Sequence, residues 1–345
     1  MKNILVLGCG RVGRTICLDL SYKNSVTVAD ISENNLNKLR GCNINTVKMD
    51  LSNLKDLRKL INKFDLVISC VPGFMGFKTL QTIIEEGKNV VDISFFPEDA
   101  LKLSELAKKK EITAIVDAGV APGLSNLILG YYNSIYNLSY YACYVGGLPI
   151  IKKPPFEYKA PFSPIDVIEE YTRPARLYEN YKIVTKDPLT EIEILNFEKI
   201  GDLEAFNTDG LRTLLFTMNH IANMKEKTLR YKGHAKKILT LKEGGFFNHE
   251  EINIHGKKIK PIDITTEILK KDWFLEENEL EFTVMKIEIH DSKNIYTIDL
   301  FDEYDTSLNL SSMSRTTGYT CTACVNMLLE KVFNEKGIIP LEIIG

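Results

Sequence analysis

The stretch Ile4-Leu5-Val6-Leu7-Gly8-Cys9-Gly10-Arg11-Val12-Gly13 decides the fold. A short apolar run leads straight into glycines spaced G-x-G-x-x-G, and a helical apolar period follows from about Val12, so the sequence predicts strand, tight turn and helix in that order. Each glycine then has its own duty. Gly8 allows the turn, Gly10 lets the backbone approach a pyrophosphate, and Gly13 lets helix and strand pack closely. The helix N-terminus at Arg11 and Val12 offers N–H groups and partial positive charge to the phosphates. Twenty residues beyond Gly10, Asp30 closes the second predicted strand. A carboxylate there accepts hydrogen bonds from both adenosine ribose hydroxyls and repels a 2′-phosphate, which predicts NAD rather than NADP as cofactor.

Working outward, β-branched runs at 4–8, 26–30, 46–49, 66–70, 90–93 and 114–117 alternate with amphipathic helical stretches, the pattern of βαβ units in a parallel sheet. Six such strands complete a doubly wound Rossmann sheet, whose ligands lie beyond the carboxyl ends of the strands. Cys70-Val71-Pro72 is therefore expected on the nicotinamide side of the cofactor, and Asp92 and Asp117 are expected to line the catalytic crevice. After a helix through Leu127 and Tyr131 the texture changes to two-sided alternation at 140–145, 191–197, 281–290 and 295–301, with a hairpin turn at 291–294. The fold class is thus α/β: a parallel Rossmann sheet followed by an α+β domain with a mainly antiparallel sheet. The expected boundaries are 1–125 for the NAD-binding domain and 126–315 for substrate binding, catalysis and dimerisation, with a C-terminal helix at 316–334 packing back on the first domain.

With 345 residues the chain has room for two self-sufficient cores. Its formal net charge of −3, with both signs interspersed, supplies no basic stripe for nucleic acid and no polybasic patch for a membrane. No apolar run reaches the roughly 18 residues needed to span a bilayer, and the opening strand does not read as a presequence, so a cytoplasmic protein with a small-molecule partner is expected. Seven cysteines, an odd and scattered set, fit a reduced compartment. Cys321 and Cys324 form a CxxC inside a predicted helix with no second pair beside it; they read as packing residues, and no metal is expected. Long alternating strands able to pair across a two-fold axis predict a homodimer or higher homo-oligomer.

Particular stretches carry a resemblance: Asp117-Ala118-Gly119-Val120-Ala121-Pro122-Gly123-Leu124-Ser125-Asn126, Val145-Gly146-Gly147-Leu148-Pro149, Glu204-Ala205-Phe206-Asn207-Thr208-Asp209-Gly210-Leu211-Arg212-Thr213-Leu214 and Lys227-Thr228-Leu229-Arg230-Tyr231-Lys232-Gly233-His234. They resemble the saccharopine dehydrogenase superfamily, and within it most closely the L-lysine 6-dehydrogenases. The saccharopine enzymes' pattern has an acidic residue in the loop where this chain has Ala121, and a cysteine where it has Val145. Those positions are associated with proton transfer, so their replacement favours the lysine enzymes. The resemblance implies NAD-dependent oxidation of lysine at its ε-carbon, giving a semialdehyde that cyclises. A saccharopine or carboxynorspermidine-type dehydrogenase acting on a secondary amine is the alternative, and a non-catalytic NAD-binding regulator the third. The Arg230 block is common to both enzyme groups, which implies a role in binding the substrate's α-carboxylate.

Such chemistry needs a proton acceptor. A lysine amine of pKa about 10.4 is almost wholly protonated at neutral pH, and removing that proton costs roughly 4.6 kcal/mol. The candidates are Asp117, Asp92 and His234, the last opening a predicted helix after Gly233. Asp209 and Arg212 sit in a polar turn before a predicted apolar helix at 214–221, so Asp209 also fits as an N-cap and Arg212 as its local partner. For Arg230, in a predicted strand, the other reading is a surface ion pair. The run Arg315-Thr316-Thr317-Gly318 is expected to precede the C-terminal helix and lend it an N-terminus for cofactor or substrate.

Overall fold

Ile4, Leu5, Val6 and Leu7 are all fully buried, as befits a parallel strand covered on both faces. They form β1 (Asn3–Leu7), followed in the chain by β2 (Ser25–Asp30), β3 (Ile44–Lys48), β4 (Leu66–Ser69), β5 (Asn89–Asp92) and β6 (Thr113–Val116). The computed structural model describes residues 2–345 and pairs these six strands in the order β3-β2-β1-β4-β5-β6, all parallel. Alternate residues of β1 enter two cores. Leu5 and Leu7 join Val67, Val90 and Leu80, while Ile4 and Val6 join Val28, Ile68 and Ile16. Because β1 leads outward to β2 and β3 while β4 lies on its other side, the carboxyl ends of β1 and β4 flank a topological switch point.

The chain divides into two compact units, the first made of Met1–Tyr136, Arg212–Thr217 and Met313–Gly345, the second of Asn137–Leu211 and Met218–Ser312. The second unit carries β7 (Tyr140–Pro149), β8 (Ala175–Glu179), β9 (Lys182–Lys186), β10 (Glu193–Phe197), β11 (Gly201–Asn207), β12 (Asn223–Tyr231), β13 (Ile252–Ile254), β14 (Lys257–Ile259), β15 (Glu281–His290) and β16 (Ile295–Glu303). Its main sheet runs β10-β11-β12-β7-β15-β16. The hairpin between β15 and β16 closes through the Asp291 N–H on the Asn294 carbonyl at 3.1 Å. Most pairings are antiparallel, but β7 and β12 are parallel, which makes the sheet mixed. A long crossover through the Pro164–Thr172 helix permits this. Trp273, Tyr171, Phe206 and Tyr158 fill the core.

Four local expectations are corrected. A seventh strand, β17 (Gly337–Pro340), extends the parallel sheet beside β6. The C-terminal helix begins at Ser312, so Arg315–Gly318 lie inside it rather than ahead of its N-terminus. The apolar helix expected at 214–221 is one short turn, Leu214–Thr217, and the strand expected at 140–145 continues to Pro149. Cys321 and Cys324 are buried in the first unit's core, where loss of water pushes their thiols up, Cys324 to about 12. Among the described residues no helix is long and apolar enough to cross a membrane.

Candidate functional site

The three glycines of the first loop are not equivalent. Gly8 has φ +102°, and a Cβ on it would stand 2.5 Å from the Cys70 carbonyl oxygen; a Cβ on Gly13 would stand 2.1 Å from the Gly8 carbonyl oxygen. The chain itself requires both. Gly10 has an ordinary φ of −66° and nothing within 4 Å of its notional Cβ. Nothing in the protein excludes a side chain there, whereas a group lying against the loop would. The helix Arg11–Ser21 starts at this point with no side-chain cap and no acid in its first turn. This cradle fits a pyrophosphate, with the backbone around Arg11, Val12 and Gly13 as its donors.

The neighbouring loop is placed by the sheet. Cys70 N–H donates to the Leu7 carbonyl at 2.9 Å, which continues the β1–β4 ladder and sets Cys70, Val71 and Pro72 beside the glycine turn; Pro72 then caps the Gly73–Glu85 helix. Asp30 ends β2 with its carboxylate fixed by two backbone donors, Cys9 N–H at 2.6 Å and Ser32 N–H at 2.7 Å. Burial, reinforced by that carboxylate, pushes the Cys9 thiol up to about 11. Cys9 is accordingly a neutral packing residue.

The ends of β5 and β6 carry the acids. Asp92 is fully buried; its Oδ1 accepts from Ser94 N–H at 2.9 Å and its Oδ2 from the Ser94 hydroxyl at 3.3 Å. Burial, with the charge of Asp117 adding to it, pushes the carboxyl up to about 7, against the lowering by the Ser69 hydroxyl, the Ser94 N–H and Arg212. Asp117 Oδ1 takes both Nε and Nη2 of Arg212, at 3.0 and 2.7 Å. The two side chains are 1% and 3% exposed. Each residue sits in the left-handed backbone region, Asp117 at φ 54° and Arg212 at φ 51°, a conformation that costs of order 1–3 kcal/mol per residue. Asp117 Oδ2 and Arg212 Nη1 are buried with no partner among the described residues. The guanidinium also lies over the Phe96 ring at 4.7 Å. A half-satisfied, strained, buried ion pair beside an acid that titrates near neutrality can hold a polar group and take a proton from it.

Arg212 and Asp209 therefore do not form the expected local pair. Asp209 accepts from Nε and Nη2 of Arg176, both at 2.8 Å, and from Arg176 N–H, within the second unit. Asp209 serves there as the fastening of β8 and not as an N-cap.

Arg230 and His234 come together in the second unit, in its core rather than on a surface. Arg230 is 2% exposed. Its Nε donates to the Tyr171 hydroxyl at 3.0 Å, Nη1 to the Leu229 carbonyl at 3.0 Å, and Nη2 to the Glu170 carboxylate at 2.7 Å and the Tyr158 hydroxyl at 3.3 Å. A carboxylate is thus already seated on this fork, and a substrate's would have to displace Glu170. His234 meets Tyr171 through Nε2 and the Phe156 carbonyl through Nδ1, each at 2.9 Å. Burial and the Arg230 charge push it down to about 3. It is a neutral imidazole at the head of the His234–Glu243 helix, whose first amides, Gly233 N–H and Ala235 N–H, are capped by Glu204. Sequence reading missed Glu170 and Arg176; each lies in another element from its partner, and no spacing signals it.

Sheet order, glycine cradle and the fixed carboxylate of Asp30 define a chain of the dinucleotide-binding class, joined to a second unit with a mixed sheet. The chain belongs to the saccharopine dehydrogenase family: the family's NADP binding domain matches residues 4–115 and its C-terminal domain residues 119–344. Similar curated proteins are the alpha-aminoadipic semialdehyde synthase of Arabidopsis thaliana, 27% identical over 66% of this chain and 23% of that protein, and its mitochondrial counterpart in Rattus norvegicus, 27% identical over 72% and 29%. The chain thus spans only about a quarter of those relatives. The saccharopine dehydrogenase [NADP(+), L-glutamate-forming] of Schizosaccharomyces pombe is 25% identical over 79% of this chain and 65% of that one. Among solved structures, saccharopine dehydrogenase (L-Glu forming) from Saccharomyces cerevisiae superposes with a TM-score of 0.77 at 20% identity, covering 99% of this chain and 95% of that one, a likeness of fold.

Two measurements probe these assignments. Gly10→Val should keep the parent's thermal midpoint yet lose the stabilisation that added dinucleotide gives, whereas Gly13→Val should lower the midpoint without any ligand; equal midpoint losses would remove the cradle's special claim on Gly10. For His234 the folded value lies below the unfolded one, so its stabilisation is complete above about pH 6.5 and is lost as pH falls toward 3. Denaturant midpoints should decline across that window in the parent, and His234→Gln should flatten the decline.

Proposed function

We propose that the chain catalyses NAD-dependent oxidative deamination of L-lysine at the ε-amine, giving the 6-semialdehyde that cyclises to piperideine-6-carboxylate. The observation that carries the amine chemistry is the buried Asp92–Asp117–Arg212 cluster with its two open hydrogen-bonding atoms. A bound nicotinamide supplies the hydride acceptor at the carboxyl ends of the strands. The chain's own residues prepare the donor. Asp117 Oδ2, held still by Arg212, accepts a hydrogen bond from the substrate nitrogen. Asp92, its proton affinity raised to the neutral range chiefly by burial, takes the ammonium proton. The Arg212 charge opposes that rise and keeps Asp92 from remaining fully protonated.

The choice of a primary amine rests on Ala121 and Val145, which replace the proton-transfer residues of the saccharopine pattern. The name of the Schizosaccharomyces pombe relative favours the second reading, a dehydrogenase of saccharopine itself. Screening L-lysine, saccharopine and related diamines for reduced cofactor separates the two, and silence toward every amine while dinucleotide still binds would leave a regulator. NAD is favoured because the rigid Asp30 carboxylate presents negative charge where a 2′-phosphate would lie, although the matching family domain is named for NADP.

Asp30→Ser should therefore weaken NAD by about 1–3 kcal/mol and shift preference toward NADP; an unchanged ratio of kcat/KM for the two cofactors would contradict the assignment.

The pH dependence tests the chemistry. Because the acceptor works ionised and the amine works neutral, kcat/KM should climb through the neutral range, where Asp92 titrates at about 7. Asp92→Asn and Asp117→Asn should each cost roughly 10²–10⁴-fold near neutrality and less at alkaline pH, where solvent takes the proton. A flat profile in the parent from about pH 6 to the amine pKa of about 10.4 would sink the amine mechanism.

A further inference from the structure

We propose that Glu342 is present as the neutral carboxylic acid and positions the Arg212 segment, so that the Asp117–Arg212 geometry depends on a proton held at Glu342 Oε1. Glu342 lies in the short turn after β17 and is 3% exposed. Its Oε2 is met by Asn126 Nδ2 at 3.0 Å. The orientation of that amide is fixed, because Asn126 Oδ1 already accepts from Gly123 N–H at 3.2 Å and the Ser125 hydroxyl at 3.1 Å. Its Oε1 stands 2.6 Å from Thr217 Oγ1, which in turn stands 3.0 Å from the Thr213 carbonyl.

A threonine hydroxyl has one hydrogen, and a carbonyl only accepts. With an ionised Glu342 the hydroxyl can serve either the carboxylate or the carbonyl, leaving the other contact without a hydrogen. With the acid, Glu342 donates to Thr217 and Thr217 donates to the Thr213 carbonyl, so both contacts are hydrogen bonds. The groups facing the carboxyl are Asn126 of the Leu124–Ile135 helix, Thr213 and Thr217 of the Arg212 segment, and its own backbone, with no charged side chain among those that shift it. Burial pushes its pKa up, in agreement with this hydrogen count. The Glu342 turn packs closely on the Leu124–Ile135 helix, where a Cβ on Gly130 would come within 2.3 Å of the Glu342 carbonyl oxygen.

The positioning follows from what the acid joins. Asn126 holds the turn that continues from Asp117, and Thr217 belongs to the same short segment as Arg212, whose carbonyl accepts Leu215 N–H at 3.3 Å. Arg212 is strained at its own φ, so the rest of the segment must hold it in place. Ionising Glu342 would turn the Thr217 hydroxyl away from the Thr213 carbonyl and set a buried carboxylate without a counter-charge at the base of that segment.

The inference rests on the amine-oxidation reading only for its effect on turnover, and the experiment separates the two. Infrared spectra of the parent at neutral pH, differenced against Glu342→Gln, should show a protonated-carboxyl C=O band, and its absence would overturn the neutral acid whether or not the protein oxidises any amine. Thr217→Val, which deletes the relay hydroxyl while keeping its volume, should lower kcat for the amine roughly 10- to 100-fold with the KM for NAD unchanged. Glu342→Gln, which still donates to Thr217 and accepts from Asn126, should retain parental kcat. Parental kcat in Thr217→Val would overturn the positioning role. The folded value exceeds the unfolded one of about 4.5, so stability contributed by the acid is lost as pH rises from there through the folded value; the decline of the parent's melting midpoint as pH rises above about 4.5 should shrink in Glu342→Gln, and an undiminished decline would count against the proposal.

Discussion

Asp117 and Arg212 stand 95 positions apart in the chain, yet they form a buried two-point ion pair on which the arrangement of the first unit's site depends. Physically the pair is expensive. Both ions leave water, which costs several kcal/mol apiece before their attraction is counted, and both backbones sit in the left-handed region. One oxygen and one nitrogen remain without partners among the described residues. A core built for stability alone would hold apolar side chains at these positions. What the pair supplies is placement: it brings Arg212–Thr217 into a unit otherwise formed by the two ends of the chain.

The parallel sheet explains why the acids gather there. Strands β5 and β6 are neighbours running in one direction, so residues at their carboxyl ends are brought side by side without any special loop. Asp92 and Asp117 occupy those ends, and the Ala118 N–H donates to the Asp92 carbonyl at 3.0 Å, tying one end to the other. Two carboxyls so placed cannot both ionise cheaply out of water. Burial is the main cause that lifts Asp92 into the neutral range; the Asp117 charge adds to it and the Arg212 charge opposes it. The glycine cradle is placed by the same rule, at the ends of β1 and β4 where the strand order turns back.

Legibility in the sequence tracks the distance over which each feature is determined. The cradle, Asp30 and the six β-branched strands are set within about thirty residues, and each left a local signature. β17 has four residues and ends in Pro340, with no helix after it to mark a βαβ unit, so periodicity could not register it. β9, Lys-Ile-Val-Thr-Lys, is a short, largely exposed edge strand bracketed by lysines, which reads equally well as loop. For Arg212 the local partner, Asp209, is three residues away and obvious, but it is already engaged by Arg176, thirty-three positions earlier. Sequence spacing offers neighbours, whereas tertiary structure allots them.

The two buried arginines show how allotment decides availability for chemistry. Arg230 has a partner on each of its three nitrogens, and beside it His234 has both ring nitrogens engaged and stays uncharged. That cluster is closed: ring packing among Tyr158, Tyr171, His234 and Trp273 surrounds it, and every hydrogen bond it makes holds the second unit's fold. Arg212 is as deeply buried but incompletely satisfied, and its partner Asp117 likewise. An unsatisfied buried donor or acceptor costs about 1–3 kcal/mol, and a ligand that completes both recovers that cost on binding. The same deficit that weakens the empty site therefore strengthens its hold on a group carrying both a donor and an acceptor. For that reason the functional reading rests on the pair with open positions rather than on the pair whose sequence motif was the more conspicuous.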